Sequence, residues 1–438
     1  MINQAEICLN KIGWGKYQRK VFLCCSESEA MFIGVAMLLP VIALQFNDYS
    51  YTFKGLLGFL VHFCALIASN YFGKNIATVS HVSVFKNWGG WLMVFGLLSL
   101  VSSSSYLYVL LSMIPIGAAG GADMAINYCV LYESIPIQDR KCFNWVPFGI
   151  NILVTAIYVA VLGLEIYGLV QNWKIIVLAL LLIHIGFSLV RLSLVEGPLY
   201  LYLQGKKEEF KKSIKTIVIE NGLKDTNIEE SVAFENKQID WCDTFGELFK
   251  DPLSSSTFKL MQMFFCAFFA IEGLVMFMPS LIISSSKTEI FTCLAVIEIC
   301  GLLLKVLTEV FTFSKTFRKA LVILSYFSMG LVILSFAYAK EFNSNLCSSV
   351  LYGIASSIGI HGLYSLVQDQ FPLKNSGPAF SVMGSMGTAG NMIGSLTSGI
   401  ALDYLGGLYV IIGNSILLGM TGLIGLTLKA IPNEKKTN

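Results

Sequence analysis

Acidic side chains set inside long apolar runs are the residues of this chain with most capacity for chemistry. Glu27, Glu29, Asp123, Glu272 and Glu298 each stand among Leu, Ile, Val, Phe, Ala and Gly. An ionised group at the centre of a bilayer costs at least about 2.5–3.5 kcal/mol on insertion scales, so each needs a partner or a proton. Two carboxylates facing one cavity repel, and the pair then gains by holding a proton, which suits proton coupling or cation binding. Glu27 and Glu29 lie roughly 200° apart around a helix and cannot share a face. Glu29, about 14 Å into its helix at about 1.5 Å per residue, is the expected substrate- or proton-binding member; Glu27 is expected to bond to a neighbouring helix. Glu298, Lys305 and Glu309 fall on one side of another helix, with Lys305 and Glu309 one turn apart and suited to an ion pair. Asp123 and Asn127, also one turn apart, predict buried hydrogen bonding first and ligand contact second. His184 and His361 are single histidines in apolar helices and read as packing residues before proton carriers. His361, with Ser365 and Gln368 on its helix, is the better candidate of the two.

The elements that must position these residues follow from composition. Of 438 residues, 55% are hydrophobic and 13% charged, and mean hydropathy is +0.69; soluble proteins carry about 25% charged residues. A membrane helix needs roughly 20 apolar residues. The pattern predicts helices at 21–45, 54–73, 88–104, 106–133, 143–168 and 172–194, then 258–284, 290–312, 320–339, 346–369, 378–402 and 405–428. The predicted organisation is therefore an N-terminal stretch (1–20), a six-helix bundle (21–194), a polar linker with one or two short amphipathic helices (195–257), a second bundle (258–428) and a C-terminal stretch (429–438). Of the 30 Lys and Arg, only Lys54, Lys174, Lys287 and Lys340 fall on the face opposite the termini and linker. Lys305 lies within a helix, and the rest place both termini and the linker in the cytosol.

Several classes are disfavoured. A net charge of +2 suggests neither nucleic acid nor an acidic partner. The eleven cysteines form no C-x-x-C pair or His/Cys cluster, so no disulfide, metal or cofactor is predicted. The polar, lysine-bearing first twenty residues do not read as a cleavable signal peptide. No catalytic triad or phosphate loop stands out, so an enzyme is not predicted.

The stretch Gly117–Lys141 organises the chain. Gly117, Ala118, Gly120, Gly121 and Ala122 suit backbone-to-backbone packing, and Glu133, Pro136 and Arg140 close it as E-x-x-P-x-x-x-R. A related corner recurs at Asp369–Pro372, which indicates an internally duplicated transporter. This corner resembles the fourth helix and following loop of the major facilitator superfamily, nearest the branch of sugar porters, organic-ion carriers and synaptic-vesicle-related (SVOP-like) proteins. Gly13, Gly15, Tyr17 and Gln18 resemble the lead-in of the SVOP-like branch; Trp173-Lys174, Glu196-Gly197-Pro198 with Gly205-Lys206, and Gly273 with Pro279 match further family positions.

The resemblance implies an all-α membrane protein of twelve transmembrane helices in two six-helix pseudo-repeats. It implies alternating access, with a site between the halves lined by helices 1, 4, 7 and 10. Glu29 matches an acidic position of the family's helix 1, and Glu272 stands where helix 7 usually has an aromatic residue. Glu133, Arg140, Lys305, Glu309 and Asp369 match gating positions. The loop 2–3 motif departs from the family: Gly73 survives, but its aspartate and arginine pair is absent, leaving Lys74 and Lys86. Met113 replaces the helix-4 arginine and Ser376 the counterpart of Arg140. These losses imply a weaker inner latch or a carrier whose ancestral cycle is altered.

The resulting expectation is a monomeric secondary transporter of a small organic solute, in the plasma membrane or a vesicle membrane, with protons as a candidate coupling ion. An organic cation or proton-coupled solute is favoured over an organic anion. The alternative is a transporter-like receptor or scaffold that no longer transports; the degraded loop motifs favour it and the retained buried carboxylates disfavour it.

Overall fold

The computed structural model describes residues 4–428 apart from 47, 76–78, 141–145, 224–245, 283–285, 311–314, 340 and 372. The secondary structure of these residues is helical. A short helix α1 (Gln4–Ile12) precedes the membrane segments α2 (Lys16–Ala43) and α3 (Tyr51–Lys74). The third segment joins α4 (His81–Val84), a π-helical stretch (Phe85–Leu92) and α5 (Met93–Ser102). Then come α6 (Tyr106–Ser134), α7 (Val146–Ile166) and α8 (Lys174–Leu192). The linker contributes α9 (Pro198–Leu203) and α10 (Lys207–Glu220). The seventh segment is broken into α11 (Ser254–Val275) and α12 (Met278–Leu281). The last five are α13 (Lys287–Val310), α14 (Lys315–Tyr338), α15 (Phe342–Gln370), α16 (Leu373–Tyr404) and α17 (Gly407–Thr427).

Ten of these segments are long and apolar enough to cross a membrane on composition alone; α13 and α16 complete the twelve. α16 is rich in Gly, Ser and Thr and so less apolar, whereas α13 is an apolar helix interrupted by Glu298 and Lys305. The small residues of α16 serve packing. A Cβ at Gly390 would lie 2.5 Å from the Phe265 carbonyl oxygen of α11, and one at Gly394 would lie 2.3 Å from that of Phe269. Only glycine lets the two backbones approach this closely. Gly121 of α6 plays the same part against Ala65 of α3, where a Cβ would stand 2.1 Å from the carbonyl oxygen.

The third segment starts at His81, earlier than the 88 that hydropathy predicts. Lys86 and Asn87 lower the hydropathy there, yet Lys86 sends its Nζ 2.8 Å to the Leu194 carbonyl and the turn stays helical. The seventh segment breaks just beyond Glu272, where the backbone tightens (Phe277 N–H to the Leu274 carbonyl, 3.1 Å) and Pro279 opens the next short helix. In the linker, α10 buries Phe210, Ser213, Ile214, Ile217 and Val218, one stripe of an amphipathic helix. Any helix within 224–245 lies outside the described residues.

By packing, the chain divides into two compact units. The first comprises Met1–Val35, Cys64–Leu153 and Lys174–Asp240; the second comprises Ala36–Phe63, Val154–Trp173 and Trp241–Asn438. α2, α3 and α7 therefore each give one end to either unit.

Candidate functional site

The first unit holds a buried charge cluster built from α2, α6, α8 and the π-helical turn. Arg191 is fully buried in the last turn of α8; its Nη2 lies 2.9 Å from Glu27 Oε2 and its Nη1 3.4 Å from Asp123 Oδ2. Nη1 also donates to the Phe85 carbonyl at 3.2 Å, and the guanidinium sits 4.2 Å from the centre of the Phe85 ring. Seven residues earlier on the same helix face, His184 places Nδ1 2.6 Å from Glu27 Oε1 and Nε2 3.1 Å from the carbonyls of both Gly89 and Gly90. Those carbonyls belong to the π-helical turn, whose looser hydrogen-bond pattern leaves them able to accept from a side chain. Because Nε2 faces two acceptors it must carry hydrogen, so one further proton sits between Nδ1 and Glu27. With that proton, two cations balance two carboxylates. Ser28 donates to Asp123, and Asn127 donates to the Cys25 carbonyl at 3.0 Å. Asp123, Asn127 and Glu27 are thus each bonded to other helices. Glu29, on the opposite side of α2 from Glu27, is half-buried.

The linker side of the first unit carries the corner. Glu133 is buried, with Oε1 2.9 Å from His81 Nδ1. Glu196 accepts from the Val82 N–H at 3.1 Å and from the Ser80 hydroxyl. Arg140 turns instead to Glu6 of α1 at 3.0 Å and covers the Tyr132 ring. The lead-in residues meet the linker: Tyr17 N–H donates to Asn221 Oδ1 (2.9 Å), and Asn221 Nδ2 donates to Gln18 Oε1 (2.9 Å).

The second unit holds a different acidic site. Glu272 of α11 is buried, and its Oε1 lies 3.5 Å from Nε2 of His62, a buried histidine of α3. The Tyr158 hydroxyl, which donates to the Met37 carbonyl at 2.9 Å, lies within electrostatic reach of both Glu272 and Glu298. Tyr352, buried with a hydroxyl that has no hydrogen-bond partner, lies in the field of Glu298 as well. Thr155 donates to the Glu298 backbone carbonyl at 3.3 Å and ties α7 to α13 at this level. Glu272, Glu298, His62, Tyr158 and Tyr352 therefore gather around one region. Lys305 is buried on α13, and the Glu309 side chain lies outside the described residues. His361 is half-buried on α15, whereas Gln368 is exposed near that helix's end. Asp369 pairs with Arg318 at 3.1 Å and Lys315 at 4.0 Å. The second corner thus keeps two cations although Ser376 stands where the first has Arg140.

Sequence reading overlooked three of these partners. Arg191 had a signal, the seven-residue spacing from His184 that puts both on one helix face. His62 and His81 had none, because each meets its carboxylate only through tertiary packing.

Twelve long apolar helices with buried carboxylates in each unit define an integral membrane protein. The fold is that of the xylose transporter XylE from E. coli in a partially occluded inward-open conformation: TM-score 0.72, 14% identity, covering 96% of this chain and 99% of that one. A second structure, the major facilitator superfamily proton:xylose symporter XylE bound to 6-bromo-6-deoxy-D-glucose, matches with TM-score 0.69 and 15% identity, covering 93% and 95%. No curated protein matches. The model of the sugar (and other) transporter family matches residues 92–431, and the chain belongs to that family. It is a multi-pass integral membrane protein of that transporter family, with the fold of XylE.

Proposed function

We propose that this protein is a proton-linked carrier of a small organic solute, in the SVOP-like branch, working by alternating access between the two sequence-related six-helix halves (21–194 and 258–428). The observation that carries this reading is Glu272. It is a buried carboxylate on a broken helix, facing a histidine rather than a guanidinium. A carboxylate opposite imidazole can gain or lose a proton with little change in packing, whereas one clamped by arginine cannot. Glu298 adds a second carboxylate to the same region, and excess acid there favours a cation or a proton-coupled solute. The similar XylE is a proton:xylose symporter, which supports proton coupling without extending to the sugar.

In this reading Glu29, Glu272 and Glu298 bind substrate or proton. Asp123, Asn127, His361 and Gln368 are supporting candidates. Glu133, Arg140, Lys305, Glu309 and Asp369 govern gating. The lysine and arginine distribution supports cytosolic termini, and the carrier acts as a monomer in the plasma membrane or a vesicle membrane.

The test is uptake into proteoliposomes of organic cations, organic anions and hexoses, with and without an inward proton gradient, for the wild type and Glu272→Gln. We expect accumulation of one class driven by the gradient, and a variant that still exchanges substrate but no longer accumulates it. Equal accumulation by the variant would sink the coupling role of Glu272. No uptake of any class by folded wild-type protein would favour the receptor or scaffold reading.

A further inference from the structure

The linker-side corner contains more negative charge than its hydrogen bonds balance. Among the described residues no lysine or arginine lies within ion-pair distance of Glu133 or Glu196; Lys86 donates to the Leu194 carbonyl and feels Glu196 only at longer range. Glu133 is only 8% exposed, and its Oε2 has no hydrogen-bond partner. That oxygen lies beside Gly197, where a Cβ would come within 2.5 Å of it, so it points toward the segment carrying Glu196. On the other side of His81, the Tyr200 ring packs 4.6 Å from the imidazole.

His81, Glu133 and Glu196 can each present one ligand atom with all three within 4.8 Å of one another. Two ligands on a tetrahedral zinc ion stand about 3.3 Å apart, given bonds of about 2.0–2.2 Å. The widest pair must close by roughly 1.5 Å on that basis, within reach of a glutamate side-chain rotation. One neutral imidazole and two carboxylates carry two negative charges, which a divalent ion cancels. Imidazole among the donors suits a borderline first-row metal and disfavours calcium or magnesium, which take oxygen ligands. Glu196 is already oriented by the Val82 N–H and the Ser80 hydroxyl, the outer-shell support that metal sites require. Being half-buried, Glu196 also leaves the cluster an approach from the linker side.

We propose that His81, Glu133 and Glu196 form a binding site for a divalent transition-metal ion, zinc by preference, on the linker side of the first unit. The three ligands come from the start of the third membrane segment, the end of α6 and the stretch after α8. A bound ion therefore ties together, through one centre, three elements that already share a hydrophobic core.

The experiment uses tag-free, full-length protein in detergent, stripped with chelator and titrated separately with Zn2+, Co2+ and Mg2+. We expect one Zn2+ per chain by elemental analysis, a melting temperature that rises with Zn2+ and not with Mg2+, and a Co2+ spectrum of tetrahedral nitrogen and oxygen ligation. Glu196→Gln, which keeps the shape of the side chain, and His81→Ala should each weaken Zn2+ binding at least tenfold while melting cooperatively without metal. Three results would overturn the proposal: no stoichiometric binding, binding undiminished in Glu196→Gln, or a sulfur-to-cobalt charge-transfer band that assigns the metal to cysteines. Because the readouts are metal content, melting and absorbance, they stand whether or not the protein transports.

Discussion

Two buried glutamates in this molecule meet opposite fates. Glu27 has both oxygens engaged, one by the guanidinium of Arg191 and one by His184, inside a cluster that is neutral once a single proton is counted. Glu272 faces His62 at 3.5 Å, close enough to interact and too far for a firm hydrogen bond. The difference lies in the partner's chemistry. Guanidinium stays charged throughout the physiological range, so the carboxylate it holds has a permanent partner and serves the architecture. Imidazole is not a permanent cation, so a carboxylate paired with imidazole alone lacks that fixed partner. Burial alone does not mark a functional acid.

This contrast can be broken experimentally. Arg191→Ala should have the largest effect: it leaves Glu27 and Asp123 buried without their cation, at a cost of about 3–5 kcal/mol. A steep fall in thermal unfolding temperature in detergent would register it. If Arg191→Ala melts like the wild type, the cluster is not the structural element described. Next comes Asp403→Ala on the face opposite the linker. Asp403 accepts from the Tyr51 and Thr52 N–H groups at 2.9 and 2.7 Å and from the Thr52 hydroxyl at 2.6 Å, so it caps the N-terminus of α3. Its loss should lower stability by about 1 kcal/mol, and Asp403→Asn should restore most of that.

The smallest change is expected at the second corner. The partly exposed Arg318–Asp369 pair is worth roughly 0.2–1 kcal/mol. Arg318→Ala should therefore shift melting by little, and any effect should appear in transport rate. A large stability loss there would mean that the second corner is as buried in function as the first.

The sequence announced the twelve segments because lipid imposes a length and an apolarity on every crossing, and both are local properties. It also carried the duplicated corner and the small-residue faces of α6 and α16, since periodicity is local too. Even here the reading slipped where locality failed. The third segment began early because Lys86 found a carbonyl, and the seventh broke at a turn that hydropathy does not register. The pairings Glu27–Arg191, Glu133–His81 and Glu272–His62 join residues 164, 52 and 210 positions apart in the chain. No spacing rule connects them. Sequence by itself determined that this chain crosses a membrane many times as helices with acids among them. Only the tertiary structure decided which acids are held by a permanent cation and which face a titratable one, because a buried charge is defined by neighbours that the chain brings together only on folding.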